Sequence, residues 1–233
     1  MKKLKQCINQ NKNYILGTIV LFLFLFYCST KLCMNVAPDE YMRYDIPLFI
    51  YHHSYLPQGN EKEMLNAIWG FSYGFTPYLP SLISVFFMKI ASIFTTNTVH
   101  LLIAARLTSV FAGALTFFVC CKIGEEIFNH RLTIYLFSIF VSLLPQFMYL
   151  SLYLNNDSFS IFTTALIVYG WIKGIKTNWH YKWCIFLGIS IGLCALTYYN
   201  AYGFILCSII IYFVSCYKKK IDLKTFLKKG MLI

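Results

Sequence analysis

The chain is 233 residues long, 58% hydrophobic and only 12% charged, with a mean hydropathy of +0.61. That balance excludes a soluble domain with a polar shell and marks an integral membrane protein. The net charge of +11 comes without a basic stripe interleaved with aromatics, so it fits anionic lipid headgroups and no nucleic acid.

Residues 1–13 form a basic start, Met1-Lys2-Lys3-Leu4-Lys5 and onward, before an apolar run at 14–34. No small-x-small cleavage site follows that run, and it reads as an uncleaved anchor. Further apolar runs lie at 75–94, 101–121, 132–153, 158–174, 183–199 and 201–217. The run at 75–94 is interrupted by Pro77, Pro80 and Lys89 and reads as an outer juxtamembrane or re-entrant helix. With that run not crossing, most of the basic residues share the side of the N-terminus: Lys2, Lys3, Lys5, Lys12, Lys122, Arg131, Lys173, Lys176, Lys182 and the run from Lys218 to Lys229. The positive-inside rule then predicts an all-α membrane protein of about six spans plus the outer helix, with a cytoplasmic N-terminus and multi-pass placement in the cell membrane. The predicted organisation is a cytoplasmic segment 1–13, a transmembrane module 14–217 with an outer loop 37–74 and the helix 75–94, and a basic cytoplasmic segment 218–233.

This topology puts Asp39, Glu40, Asp45, Glu61, Glu63 and Asp157 on the outer face. Asp39 and Glu40 sit just beyond the first apolar run, where a carboxylate can accept a proton from a hydroxyl or help hold a divalent cation such as Mg or Mn, although nothing in the sequence demands one. Arg43 can pair with phosphate. Asn155-Asn156-Asp157-Ser158 joins two apolar runs, and Asn156 or Asp157 would equally serve as the N-cap of a helix starting at Ser158. Of the adjacent His52 and His53, which point to different sides of a helix, one could touch a sugar or phosphate. The segment Trp69-Gly70-Phe71-Ser72-Tyr73-Gly74-Phe75 suits either sugar stacking or an interfacial aromatic belt. Arg106, near the outer start of its run, can either snorkel to headgroups or meet a lipid phosphate. The nine cysteines are scattered through apolar runs without metal-ligand spacing, and no Gly-rich phosphate loop is present.

The order of Ala37-Pro38-Asp39-Glu40, Phe75-Thr76-Pro77-Tyr78-Leu79-Pro80, Ala105-Arg106-Leu107, Leu154-Asn155-Asn156-Asp157 and Leu187-Gly188-Ile189-Ser190-Ile191-Gly192-Leu193 resembles the membrane-embedded GT-C glycosyltransferases, which include protein O-mannosyltransferases and lipid A aminoarabinose transferases. The resemblance implies an inverting transfer of a sugar from a polyprenyl-phosphate donor to a glycan, lipid or protein acceptor on the outer membrane face. It implies Asp39 as the acceptor-activating carboxylate, Glu40 assisting it, Asp157 as a second acid near the reaction centre and Arg106 as a phosphate contact; Arg43, His53 and Asn156 are further candidate substrate-binding residues on their own chemistry. Leu196-Thr197-Tyr198-Tyr199 carries Tyr198 where such enzymes often carry Lys, so a phosphate-binding cation is either absent or supplied from elsewhere. Enzymes of this kind have further spans, and the chain is expected to be an N-terminal portion, with its activity as a fragment open. The rival class is a transporter, a lipid-linked sugar flippase or an assembly subunit, which would place ionisable residues inside its spans.

Overall fold

A computed structural model describes the backbone of residues 2–34 and 36–233 and the side chains from residue 11 onward, residue 35 excepted. The side chains of Lys2, Lys3 and Lys5 in the basic start lie outside the described residues.

The described residues are helical, with no strand. In chain order the helices are α1 (Lys2–Lys31), α2 (Glu40–His53), α3 (Leu79–Ala91), α4 (Thr98–Ile127), α5 (Arg131–Ser142), α6 (Pro145–Leu150), α7 (Asp157–Lys176), α8 (Tyr181–Ala195), a 3-10 turn (Tyr199–Ala201), α9 (Tyr202–Lys218) and α10 (Leu223–Gly230). Four segments are long and apolar enough to cross a membrane: Asn11–Lys31, Thr98–Ile127, Asp157–Lys176 and Tyr199–Lys218. The protein is an all-α membrane protein.

The expected run at 132–153 is two helices rather than one. Pro145 brings no N–H to the helix ladder and pushes Leu144 into an extended conformation, so α5 ends at Ser142 and α6 starts anew at Pro145. The expected run at 183–199 is a 15-residue helix, α8, that stops at Ala195. Within 75–94 the structure has the 13 residues of α3, about 20 Å of helix, too short to cross a bilayer core of about 30 Å. The segment expected as an outer loop at 37–74 holds a helix, α2, whose Met42, Tyr44, Ile46, Phe49 and Ile50 are buried.

The centre of the molecule is α4. In its apolar window 72% of the residues are buried, against 17% for α1 and 33% for α7. The cause is its run of small side chains: Ala104, Ala105, Ser109, Ala112, Gly113 and Ala114 are all buried and let neighbouring backbones come close, as small residues do between membrane helices. At Gly113 a Cβ would collide with Ser151, so this glycine seats the turn after α6 against α4. Outward faces of α1 and α9 expose Leu16, Val20, Leu23, Leu206, Ile209 and Ile210, as befits a lipid-facing surface.

Polar groups divide between the two ends. At one end Lys122 meets Asn11 and Glu125, Lys173 and Lys176 meet Glu126 at 2.9 and 3.1 Å, and Lys219 reaches Ile175 and Asn178. Trp179, fully buried and donating to Ser215 Oγ at 2.6 Å, locks α7, α8 and α9 together there. At the other end α1 finishes, α2 and α7 begin, and the turn from Ser151 to Asn156 passes between them.

Candidate active site

The site grows from the junction of α1, α2 and α4. Glu40, the first residue of α2, is fully buried, and so is Arg106 on α4. Arg106 donates from Nε to Glu40 Oε1 at 2.7 Å and from Nη2 to Oε2 at 2.6 Å. Its Nη1 donates to the carbonyls of Ser29 and Leu32 at 2.9 and 2.7 Å, capping the end of α1. The Leu154 N–H completes the junction by donating to Glu40 Oε1 at 3.0 Å. A two-pronged guanidinium–carboxylate pair with its remaining hydrogen bonds satisfied is the form in which buried charge is tolerable.

Arg106 does not snorkel, and its guanidinium is too fully engaged to meet a lipid phosphate. Both Glu40 oxygens are held, Oε1 by Arg106 and the Leu154 N–H and Oε2 by Arg106.

Asp39 stands one residue earlier, exposed, in a left-handed conformation with φ 59° and ψ 5°. Asp tolerates that region better than most residues, at a cost of about 1–2 kcal/mol. The turn takes the carboxylate away from its own helix N-terminus, where it makes no capping bond. It accepts instead from the Tyr73 hydroxyl, Oη to Oδ2 at 2.9 Å. Burial first, and then that bond to Asp39, raise the Tyr73 phenol above its ordinary pKa. Tyr73 stays the donor, and the Asp39 carboxylate is oriented for another proton.

One turn into α2, Arg43 lies over the rings of Tyr73 and Tyr198, 5.0 and 5.6 Å from their centroids. Its Nη2 is 3.9 Å from Asp157 Oδ2, with the Arg43 side chain 11% and the Asp157 side chain 34% exposed. That separation is a charge contact and not a hydrogen bond, so the Arg43 guanidinium N–H groups keep no hydrogen-bond acceptor among the described residues. Tyr153 joins the same cluster: burial pushes its hydroxyl up to about 12, with smaller effects from Arg43, Asp157 and Asp39.

Asp157 is placed by the turn before it. Asn155 donates to the carbonyls of Leu150 and Tyr153 at 2.5 and 2.8 Å, and its Oδ1 accepts from the Ser158 N–H at 2.9 Å. The helix is therefore capped from Asn155. Asn156, one of the two expected caps, makes no side-chain capping bond and is buried.

His53 is not brought to this cluster. It ends α2, pairs with Glu63 at 3.2 Å, and is about 20 Å along the helix axis from Asp39. The carboxylates do not gather for a divalent cation either: among the described residues no three His, Cys, Asp or Glu side chains come together, and Arg43 already faces Asp157.

The family model for dolichyl-phosphate-mannose-protein mannosyltransferases matches residues 75–233. The chain belongs to this family. No curated protein and no solved structure gives a significant match. Membership makes the protein a membrane glycosyltransferase of the GT-C type. Arg106, Asn156 and Asp157 lie within the mannosyltransferase match, whereas Asp39, Glu40, Arg43 and His53 precede it. The fold joins the two parts, because Glu40 is fixed by Arg106 and Arg43 faces Asp157 and Tyr198. Tyr73 and Tyr153 carried no individual signal in the sequence. Tyr198 did, as the residue standing where related enzymes often have Lys.

Proposed function

We propose that this protein transfers a sugar from a polyprenyl-phosphate donor to an acceptor hydroxyl on the outer membrane face, with Asp39 as the base. As the acceptor oxygen bonds to the anomeric carbon, its proton passes to the Asp39 carboxylate. The bond from that carbon to the phosphate oxygen breaks, and polyprenyl phosphate leaves with the electron pair. Attack opposite the leaving group inverts the anomeric configuration. Phosphate is a fair leaving group, so the protein's work is positioning and charge stabilisation.

The observation that carries this reading is the pairing of an oriented, exposed carboxylate with a nearby guanidinium whose N–H groups have no acceptor. Arg43 is suited to the leaving phosphate, and it rests on Tyr198, at the position where enzymes of the resembling family often carry a lysine. Asp157 holds Arg43 by charge at 3.9 Å and is the second acid of the site. The acceptor is a hydroxyl of a glycan, a lipid or a protein. The end bearing Lys122, Lys173, Lys176 and Lys219 is assigned to the cytoplasm by the positive-inside rule, which puts Asp39 and Asp157 outside.

Transfer of radiolabelled sugar from polyprenyl-phosphate donors, in membranes containing this chain, tests the assignment. Asp39→Asn is expected to abolish transfer at unchanged expression. Undiminished transfer in that variant would overturn the role of Asp39.

A further inference from the structure

A cavity of about 550 Å³ opens beside α2, between the end of α1 and the start of α4. Tyr41, Tyr44, Asp45 and Leu48 line it from α2, and at 100° per residue they occupy the side of that helix opposite Asp39 and Arg43. It is therefore separate from the site of the proposed sugar transfer. Val99, Leu102 and Ile103 supply an apolar wall from α4, and Lys31 stands where α1 ends.

Two charged groups that line this cavity, Asp45 and Lys31, have no charged counterpart. Tyr44 beside them is 4% exposed, its hydroxyl closed off from the cavity. Asp45 makes no ion pair or hydrogen bond among the described residues, and burial pushes its carboxyl up to about 6, which leaves it ionised at neutral pH. Lys31 has only the Tyr27 ring, 5.4 Å away, as company. Arg106 also borders the space, but its guanidinium is occupied by Glu40 and the α1 carbonyls.

We propose that this cavity binds one aminophospholipid, its ammonium on Asp45, its phosphate on Lys31 and its acyl chain along Val99, Leu102 and Ile103. Charge complementarity selects the headgroup. Asp45 needs a donor, Lys31 needs an anion, and a primary ammonium supplies N–H groups that a choline headgroup lacks. The location suits such a lipid, because α1 and α4 both terminate at the cavity, at the level where a spanning helix meets the headgroups. The proposal holds whichever sugar and acceptor the enzyme uses.

The test is native mass spectrometry of the full chain in detergent, incubated with phosphatidylethanolamine, phosphatidylcholine and phosphatidylglycerol of matched acyl chains. Phosphatidylethanolamine should be retained about tenfold better than the other two, and Asp45→Asn should remove that preference, as expected for one charge-assisted hydrogen bond. Equal retention of all three, a preference for phosphatidylglycerol, or an unaltered preference in Asp45→Asn would overturn the proposal. Should the variant fold poorly, a photoactivatable phosphatidylethanolamine on the wild-type chain decides. Labelling concentrated at residues 98–103 and 41–48 supports the site, and labelling spread evenly over the lipid-facing sides of α1 and α9 overturns it.

Discussion

Glu40 and Arg106, 66 residues apart in the chain, meet through two hydrogen bonds of 2.7 and 2.6 Å with neither side chain exposed to solvent. The pair does more than join α2 to α4. Through Arg106 it caps α1, and through the Leu154 N–H it anchors the turn that presents Asp157. Removing either partner leaves a bare buried charge. Glu40→Gln and Arg106→Ala should each destabilise the protein by about 3–5 kcal/mol. The double variant Glu40→Leu with Arg106→Met should lose less than either single change. Thermal unfolding in detergent checks this, and a double variant worse than both singles would show that the pair is a net source of stability.

Tyr73 should matter for rate and little for stability. Its hydroxyl holds Asp39 Oδ2 at the exposed rim of the site, so Tyr73→Phe keeps the ring under Arg43 and removes only the orienting bond. A drop in kcat of about tenfold is expected, the usual yield of one hydrogen bond to a charged group. KM for the donor should stay unchanged, since the Arg43 contact with the ring survives. Steady-state kinetics of sugar transfer separates the two constants.

Asp45 should make stability fall with rising pH. Burial lifts its carboxyl from 3.8 to about 6, so between those values the folded chain keeps a proton that the unfolded chain has released. Each step up in pH through that window therefore favours unfolding, and the loss is complete above about 6. In lipid-free detergent, Asp45→Asn should match the wild type below pH 4 and exceed it in stability at pH 7. A variant less stable than the wild type at pH 7 would contradict an unpaired Asp45.

Gly113 ties packing to chemistry. A methyl group there would press on Ser151, in the turn that carries Asn155 and Asp157. Gly113→Ala is expected to cost about 1–3 kcal/mol, as overpacking does, and to lower transfer activity by displacing Asp157 from Arg43. Pairing it with Ser151→Gly should restore part of both losses, measured by thermal unfolding and by the transfer assay in parallel.

Much of the architecture was legible in the chain by itself. Apolar composition made it a membrane protein, Pro77 and Pro80 marked where α3 begins, and the residues that resemble GT-C enzymes pointed to the family that the match over 75–233 shows. These are local properties: hydropathy, proline geometry and short motifs act within a few residues, so a linear reading detects them. The break at Leu144 before Pro145 was equally local, but a continuous apolar run masked it.

The division of labour among the charged residues was decided only by the tertiary structure. Glu40 and Asp39 are neighbours with the same chemistry, yet a left-handed turn at Asp39 sends one carboxylate to the surface while the other is buried on Arg106. Arg43 and Arg106 are equal as cations in the sequence. One is held by a carboxylate and three carbonyls from distant segments, and the other faces Asp157 at 3.9 Å with its N–H groups unclaimed. Whether a charge is neutralised depends on partners that lie tens of residues away, and only the folded chain brings those partners within reach.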